Sequence, residues 1–94
     1  MIKRVQLAKA AQKALRRLPE HVVIKLQGWV HGVETLGLEA MRVIPGYHDE
    51  PLRGERSGQR SIRLSREYRA FYTVEKGEAR VEYVLVMDVN KHKY

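Results

Sequence analysis

Hydrophobic residues recur every three or four positions through the first third of the chain, which indicates two amphipathic helices. The apolar positions of residues 7–18 form one stripe, with lysines and arginines around the other side. Pro19 ends this helix and can open the next one, because proline at a first helical turn forfeits no hydrogen bond. A second stripe covers residues 22–36 and ends at Gly37, a residue typical of helix ends. Residues 2–6 alternate weakly and fit either a short edge strand or a lead-in to the first helix.

The second predicted helix carries two glycines four residues apart, Gly28 and Gly32. Because glycine lets another backbone approach closely, we expect the first helix to pack against this position. Trp29 and His31 are explained by core and surface positions on the same helix and need no catalytic role. The two helices together predict a helical hairpin.

The second half of the chain changes to a period of two, which is typical of β-strands. Residues 37–58 come first and hold four of the seven glycines and two of the three prolines, so they predict an irregular connection with a short turn of helix or strand near residues 39–44. The alternating segments then predict three antiparallel strands, at 59–65, 68–75 and 79–88, with a turn at 76–78.

The third of these strands is nearly continuous in apolar residues, as expected for an interior strand covered on both faces. The pattern as a whole predicts one α+β domain over residues 1–94. In it, a small twisted antiparallel β-sheet has the N-terminal helical hairpin packed on one face.

Positive charge is concentrated in the connection and the first two strands. The chain has 18 Lys and Arg against 11 Asp and Glu, a net charge of +7 and a pI of about 10.0, which favours an anionic partner such as nucleic acid, a membrane surface or an acidic protein. Six arginines fall between positions 53 and 69, answered by only Glu55 and Glu67. They are Arg53, Arg56, Arg60, Arg63, Arg66 and Arg69. A guanidinium is a planar fork that matches phosphate oxygens, so the cluster indicates a phosphate-binding surface, with a merely solvated basic face as the alternative.

Composition also excludes several kinds of chemistry. The chain has no cysteine, which rules out disulfides, thiolate metal sites and a cysteine nucleophile. The four histidines are scattered without metal-ligand spacing, so we expect no metal and no cofactor. No apolar run is long enough for a signal peptide or a membrane span, and we expect a cytoplasmic protein with no membrane partner.

Residues of the connection, the strands and the tail carry a resemblance to a known family. They are Pro51-Leu52-Arg53-Gly54, Gly58, Ser61-Ile62-Arg63-Leu64-Ser65, Tyr68-Arg69-Ala70-Phe71-Tyr72 and Val89-Asn90-Lys91-His92-Lys93-Tyr94. With this series the chain resembles, essentially from end to end, the RelE/ParE superfamily of toxins from bacterial and archaeal toxin–antitoxin systems. The resemblance implies the RelE-like, microbial-RNase-like version of the α+β fold.

The resemblance also implies a function. Most RelE-like members enter the ribosomal A site and cut mRNA, whereas ParE-like members poison DNA gyrase. The C-terminal histidine and tyrosine favour the RelE/HigB-like mRNA interferase branch, because cleavage needs a side chain that shuttles protons. We therefore expect a type II toxin that is a metal-independent endoribonuclease acting on mRNA in the ribosome, neutralised by a cognate antitoxin that is acidic or DNA-binding. Gyrase inhibition without catalysis is the alternative. A third interpretation is a plain RNA-binding module in which Tyr68, Phe71 and Tyr72 stack on bases, although aromatic residues in a meander also fit the core.

Metal-free RNA cleavage makes the ribose 2′-oxygen attack the adjacent phosphorus and expel the 5′-oxygen, and each step has a candidate residue. Arg69 is the candidate phosphate clamp, and Arg63 on the neighbouring strand supplies a second guanidinium. His92 can act as general acid or base because imidazole titrates near neutral pH. Tyr94 can stack on a base or donate a proton. The remaining basic residues are candidate RNA contacts, namely Arg53, Arg56, Arg60, Arg66, Lys91 and Lys93.

Alternation along the strands predicts that the two central arginines share a face. If Ile62 faces the helices, Arg63 faces away from them. By the same alternation, Arg69 lies on the open side when Ala70 is buried. We expect the exposed sheet face to collect both arginines and the imidazole of His92.

The identity of the general base stays open. Position 61, where some members of the family carry a lysine, holds Ser61. Glu50 and His48 belong to the connection and can approach the site, but an acid beside Pro51 also fits an ordinary turn.

Overall fold

The computed structural model describes residues 1–91, and this part of the chain contains three α-helices and five β-strands. The helices are α1 (Lys9–Leu15), α2 (Glu20–Leu36) and α3 (Leu38–Arg42). The strands are β1 (Val5–Leu7), β2 (Glu50–Pro51), β3 (Arg60–Arg63), β4 (Tyr68–Lys76) and β5 (Glu82–Lys91). None of these helices is long and apolar enough to cross a membrane.

The strands form one sheet in the order β1-β5-β4-β3-β2. The predicted meander β3-β4-β5 is confirmed and is antiparallel throughout. At one edge β1 runs parallel to β5, with the Val84 amide donating to the Arg4 carbonyl at 2.8 Å and the Ala8 amide donating to the Val86 carbonyl at 2.9 Å. For the N-terminal segment the sequence allowed either an edge strand or a lead-in to the first helix, and the structure shows an edge strand. Because β1 is parallel to β5, the sheet is mixed and not purely antiparallel as predicted.

Both predicted helices are present, with different bounds. The first spans only Lys9–Leu15, because Leu7 belongs to β1 and the chain leaves the helix ahead of Pro19. The second ends at Gly37 as predicted, where φ is 93°, a conformation that favours a residue without a Cβ. Trp29 is fully buried on this helix with its ring centroid 5.1 Å from that of Tyr72, which confirms its core role.

The two glycines of α2 do not admit the first helix, so that prediction is wrong. A Cβ on Gly32 would overlap the sulfur of Met41 in α3, and a Cβ on Gly28 would lie 3.5 Å from the hydroxyl of Tyr47. The close approach is made by the connection after α2, which folds back as α3 and a 3₁₀ turn at Pro45–Tyr47. The short element of helix or strand predicted near residues 39–44 is a helix, α3.

The helices pack on one face of the sheet, which we call the helix-side face, and the opposite face is called the open face. Strand β5 lies in the sheet interior as predicted, but only the helix-side face is fully covered. Val84 and Val86 are buried there, whereas Leu85, on the open face, is half-buried. The prediction that this strand is covered on both faces is therefore wrong.

A β-bulge in β5 reverses its alternation before the strand ends. Phe71 pairs with Asp88 and Tyr72 pairs with Val86, so Met87 is left between two pairs. The next buried residue after Val86 is consequently Val89, three positions on. The bulge brings the polar end of β5 onto the open face beside the middle of β4.

Candidate functional site on the open face of the sheet

The strand register places one row of polar and aromatic side chains across the open face. Glu50 of β2 pairs with Ser61 of β3, which pairs with Phe71 of β4, which pairs with Asp88 of β5. Paired residues point to the same side of a sheet, so the four side chains lie together. Because only the bulge gives Asp88 this orientation, the row could not be assembled from simple alternation.

A second row adjoins the first and contains the two central arginines. Arg63 of β3 pairs with Arg69 of β4, which pairs with Asn90 of β5. Ile62 and Ala70 are buried on the helix-side face, as the prediction required. The structure therefore brings Arg63 and Arg69 together on the open face.

Arg69 is held in place by two neighbours on that face. Its Nη1 donates to Glu50 Oε1 at 2.7 Å and to Ser61 Oγ at 3.2 Å. The Arg69 side chain is 12% exposed, whereas Arg63 opposite it is exposed. The guanidinium is thus fixed by side-chain contacts and still reaches the surface, as an anion-binding group requires.

Glu50 links this arginine to a histidine of the connection. Its second carboxylate oxygen lies 3.4 Å from His48 Nε2, and both side chains are about half exposed. The hydrogen bond from Arg69 lowers the pKa of Glu50 against a smaller opposing effect of burial, and the adjacent His48 lowers it further. The carboxylate is therefore ionised at neutral pH. The sequence left open whether Glu50 and His48 approach the site or belong to an ordinary turn. In the structure Glu50 is part of strand β2 and contacts both Arg69 and His48, so both residues lie at the candidate site.

The residue between them, Asp49, points the opposite way. On the helix-side face its buried carboxylate accepts hydrogen bonds from Arg60 Nε at 2.6 Å and from the Tyr72 hydroxyl at 2.5 Å. Burial, together with the bond to Asp49, raises the pKa of Tyr72 to about 12. Asp49 was not among the predicted residues, because its position depends on the pairing of the two-residue strand β2 with β3.

Arg60 therefore differs from the other arginines. It was predicted as an RNA contact, but it pairs with Tyr72 in register and lies on the helix-side face with 27% of its side chain exposed. Its position neutralises a buried carboxylate, which would otherwise be left unpaired. Arg60 therefore lies outside the candidate site on the open face.

Arg56 and Phe71 form a further contact on the open face. The guanidinium carbon of Arg56 lies 4.1 Å from the centroid of the Phe71 ring, and its Nη1 donates to Gln59 Oε1 at 2.9 Å. From the sequence, Arg56 was predicted only as a general RNA contact, and Phe71 was predicted either to stack on a base or to belong to the core. Phe71 shares the alternation of Arg69, which was the available signal.

The other predicted residues lie around this centre. Arg53 and Arg66 are exposed in loops, and Lys91 at the end of β5 lies 3.9 Å from Glu67 and 6.0 Å from the Tyr68 ring centroid. His92, Lys93 and Tyr94 lie outside the described residues, and their predicted roles stay predictions. Within residues 1–91, no three His, Asp or Glu side chains are grouped so as to hold a metal ion.

Solved toxin structures share this architecture, although the sequence matches no protein-family model and no curated protein. The YoeB/ParE toxin from Agrobacterium tumefaciens is 18% identical, with a TM-score of 0.71 over 96% of this chain and 99% of that chain. A chain of the toxin–antitoxin complex RelBE2 from Mycobacterium tuberculosis is 24% identical, with a TM-score of 0.69 over 98% and 100%. A chain of the archaeal RelE–RelB complex from Pyrococcus horikoshii is 21% identical, with a TM-score of 0.70 over 97% and 96%. The predicted likeness to RelE/ParE toxins is confirmed at the level of the fold.

Proposed function

We propose that this protein is the toxin of a type II toxin–antitoxin system and acts as an endoribonuclease on mRNA in the ribosomal A site. The observation that carries the proposal is the contact between the Arg69 guanidinium and the Glu50 carboxylate on the open face, with Arg63 directly opposite Arg69. This arrangement sets an anion-binding group beside a proton acceptor, which are the two groups that phosphodiester transesterification needs first.

In the proposed reaction the 2′-oxygen of a ribose attacks the adjacent phosphorus. A bond forms between O2′ and phosphorus, the bond from phosphorus to O5′ breaks, and a 2′,3′-cyclic phosphate remains on one product. Arg69 and Arg63 bind the non-bridging oxygens, where negative charge grows in the transition state. Two guanidinium forks fit two oxygens better than isolated ammonium groups would.

Glu50 takes the proton from the 2′-hydroxyl. In the free protein its contact with Arg69 holds its pKa low. An incoming phosphate competes for the same guanidinium, and as Arg69 turns to the phosphate the carboxylate loses the contact that stabilises its charge. Substrate binding thus raises the basicity of Glu50 at the moment when a base is needed.

The proton that the leaving 5′-oxygen requires comes from an imidazole. We propose His92 for this role, with Tyr94 stacking on a base or donating a proton. His48 is the imidazole of the described residues that lies at the site, 3.4 Å from Glu50. Replacing His92 and His48 separately and measuring the cleavage rate of each variant distinguishes the two candidate proton donors.

An antitoxin and the ribosome are the proposed partners in the cytoplasm. The net charge of +7 favours both an acidic antitoxin segment and RNA. Two of the three structural neighbours named above are chains of toxin–antitoxin complexes, which supports such a partner. Basic residues around the cleaved position are proposed to contact RNA phosphates, namely the exposed Arg53, Arg66 and Lys91, together with Lys93.

Induced expression in a bacterium tests the proposal. We expect growth arrest and cuts within translated codons by primer extension for the wild type and for Arg16→Ala, which removes an exposed positive charge on the helix side. Arg69→Ala and Glu50→Gln should restore growth and leave transcripts intact. Growth arrest by the wild type with uncut transcripts would contradict the proposal, and DNA breaks linked to gyrase would support the alternative function.

A further inference from the structure

A guanidinium stacked on an aromatic ring lies next to the proposed phosphate-binding arginine. Arg56 sits over Phe71 with its central carbon 4.1 Å from the ring centroid, and both residues are half-buried. Arg56 Nη1 also donates a hydrogen bond of 2.9 Å to Gln59 Oε1, which restricts the movement of the guanidinium group over the ring. One face of the guanidinium is thus occupied by the ring, and the group is pre-organised before any ligand arrives.

The stack lies close to Arg69 on the open face. Phe71 pairs with Ser61, whose hydroxyl contacts Arg69 at 3.2 Å. Phe71 and Arg69 are also two residues apart on β4 and on the same face, which corresponds to about 7 Å along a strand. A phosphate bound at Arg69 would therefore have its attached nucleotide within reach of the stack.

We propose that Arg56 and Phe71 form a stacking platform for the nucleobase of the nucleotide adjacent to the cleaved phosphate. This inference rests on the proposed function and assigns a base subsite to the same open face. RNA-binding proteins hold unpaired bases by stacking them on aromatic rings or on arginine planes. An arginine already backed by a ring offers a flat cationic surface, and every base has a π-face that fits it.

Two simpler roles compete with stacking. Arg56 can act only through its charge on RNA phosphates, or it can only hold the 3₁₀ turn at Gly54–Arg56 against the sheet. The charge role is preserved by lysine, which has no plane. The purely structural role does not depend on whether the RNA carries a base at the adjacent position.

The test measures kcat/KM on mRNA bound to programmed ribosomes, using intact RNA and RNAs with one abasic nucleotide on either side of the cleaved phosphate. We expect Arg56→Ala to lower kcat/KM roughly tenfold on intact RNA, in line with the strength of base stacking on a side chain. Arg56→Lys should lose as much, and Phe71→Leu should behave similarly. On the RNA that lacks the stacked base, these variants and the wild type should cleave at equal rates.

Each other outcome overturns the inference in a distinct way. Wild-type activity of Arg56→Lys would show that charge alone matters, and an unchanged loss for Arg56→Ala on every abasic RNA would show a structural role. Either result leaves the proposed ribonuclease function intact. If the wild type cleaves none of the RNAs, the proposed function and the platform fail together. Thermal unfolding of the variants against Arg16→Ala checks that each one is folded.

Discussion

Two neighbouring acids of this protein each bind an arginine, on opposite faces of the same sheet. Asp49 is buried on the helix-side face, where it pairs with Arg60 and accepts a hydrogen bond from Tyr72. Glu50 lies on the open face with 42% of its side chain exposed and pairs with Arg69. Similar chemical groups at adjacent positions thus have different environments, since the carboxylate of one pair is fully buried and the carboxylate of the other is reached by solvent.

The physical difference is the exposure of the two carboxylates. The Asp49 side chain is fully buried, so losing Arg60 to another anion would leave an unpaired charge in the core, and the Asp49–Arg60 pair is a fixed support for the connection before β2. The Glu50 side chain is 42% exposed, so water can solvate its charge when Arg69 turns to another anion. Under the proposed function the Glu50–Arg69 pair can therefore open when RNA binds, while the Asp49–Arg60 pair keeps the adjacent Glu50 in position.

The largest expected effect is the loss of cleavage when Arg69 of the exposed pair is replaced. Arg69→Ala should lower the cleavage rate by about a hundredfold or more, because it removes a charged donor from the transition state. It should lower the free energy of unfolding by only about 1 kcal/mol, because the buried Ser61 hydroxyl loses one hydrogen bond while Glu50 remains hydrated. Single-turnover cleavage and urea unfolding measure the two effects. A variant that unfolds easily but retains cleavage would place Arg69 in the structure and not in the reaction.

Glu50→Gln should lower the cleavage rate by roughly a hundredfold, the usual contribution of a general base. Because Arg69 holds the pKa of Glu50 below its ordinary 4.5, the carboxylate loses its proton-accepting form only as the pH falls through that lowered value. Release of the contact by RNA should shift the acid limb of kcat to higher pH than the acid limb of kcat/KM. Coincident limbs in the two pH profiles would contradict the proposed exchange of Arg69 from carboxylate to phosphate.

Asp49→Ala should reverse this pattern and act mainly on stability. Removing the buried carboxylate leaves Arg60 and the Tyr72 hydroxyl without their acceptor, which we expect to lower the free energy of unfolding by about 2–3 kcal/mol. The midpoint of thermal unfolding should fall by roughly 10 °C. Glu50→Gln is the matched control, with an expected change below about 0.5 kcal/mol. Equal destabilisation by both variants would remove the distinction between the faces.

The smallest effect concerns Tyr72, whose pKa is raised to about 12. A raised pKa means that the folded protein binds this proton more tightly than the unfolded chain, so its stabilisation is present below pH 10 and is lost as the pH rises toward 12. Tyr72→Phe should lower the free energy of unfolding by about 1 kcal/mol at neutral pH. It should also flatten the decline in stability above pH 10, which urea unfolding at several pH values measures.

Local patterns were enough to predict the helices, the three-stranded meander and the shared face of Arg63 and Arg69. Each of these depends on residues close in sequence, and their period and burial agree with the structure. The same reasoning left Glu50 undecided and did not identify Asp49. Their positions depend on a two-residue strand that pairs with β3, and no period can be read from two residues.

Long-range pairing also explains the remaining differences. The parallel contact of β1 with β5 joins segments nearly eighty positions apart, as in the pairing of Val5 with Val84. The bulge at Met87 brings Asp88 and Asn90 onto the open face against the expected alternation. The contact between Arg56 and Phe71 requires the connection to fold back over β4, which composition does not specify.

Single-turnover cleavage of one ribosome-bound mRNA by the wild type, Glu50→Gln, Arg69→Ala and the double variant tests the central claim most directly. If the two residues act on one phosphodiester, each single variant should lose about a hundredfold and the double variant little more, with 2′,3′-cyclic phosphate ends from the wild type. Losses that multiply in the double variant would show that the two residues act independently. Full cleavage by either single variant would remove the Glu50–Arg69 pair from the reaction altogether.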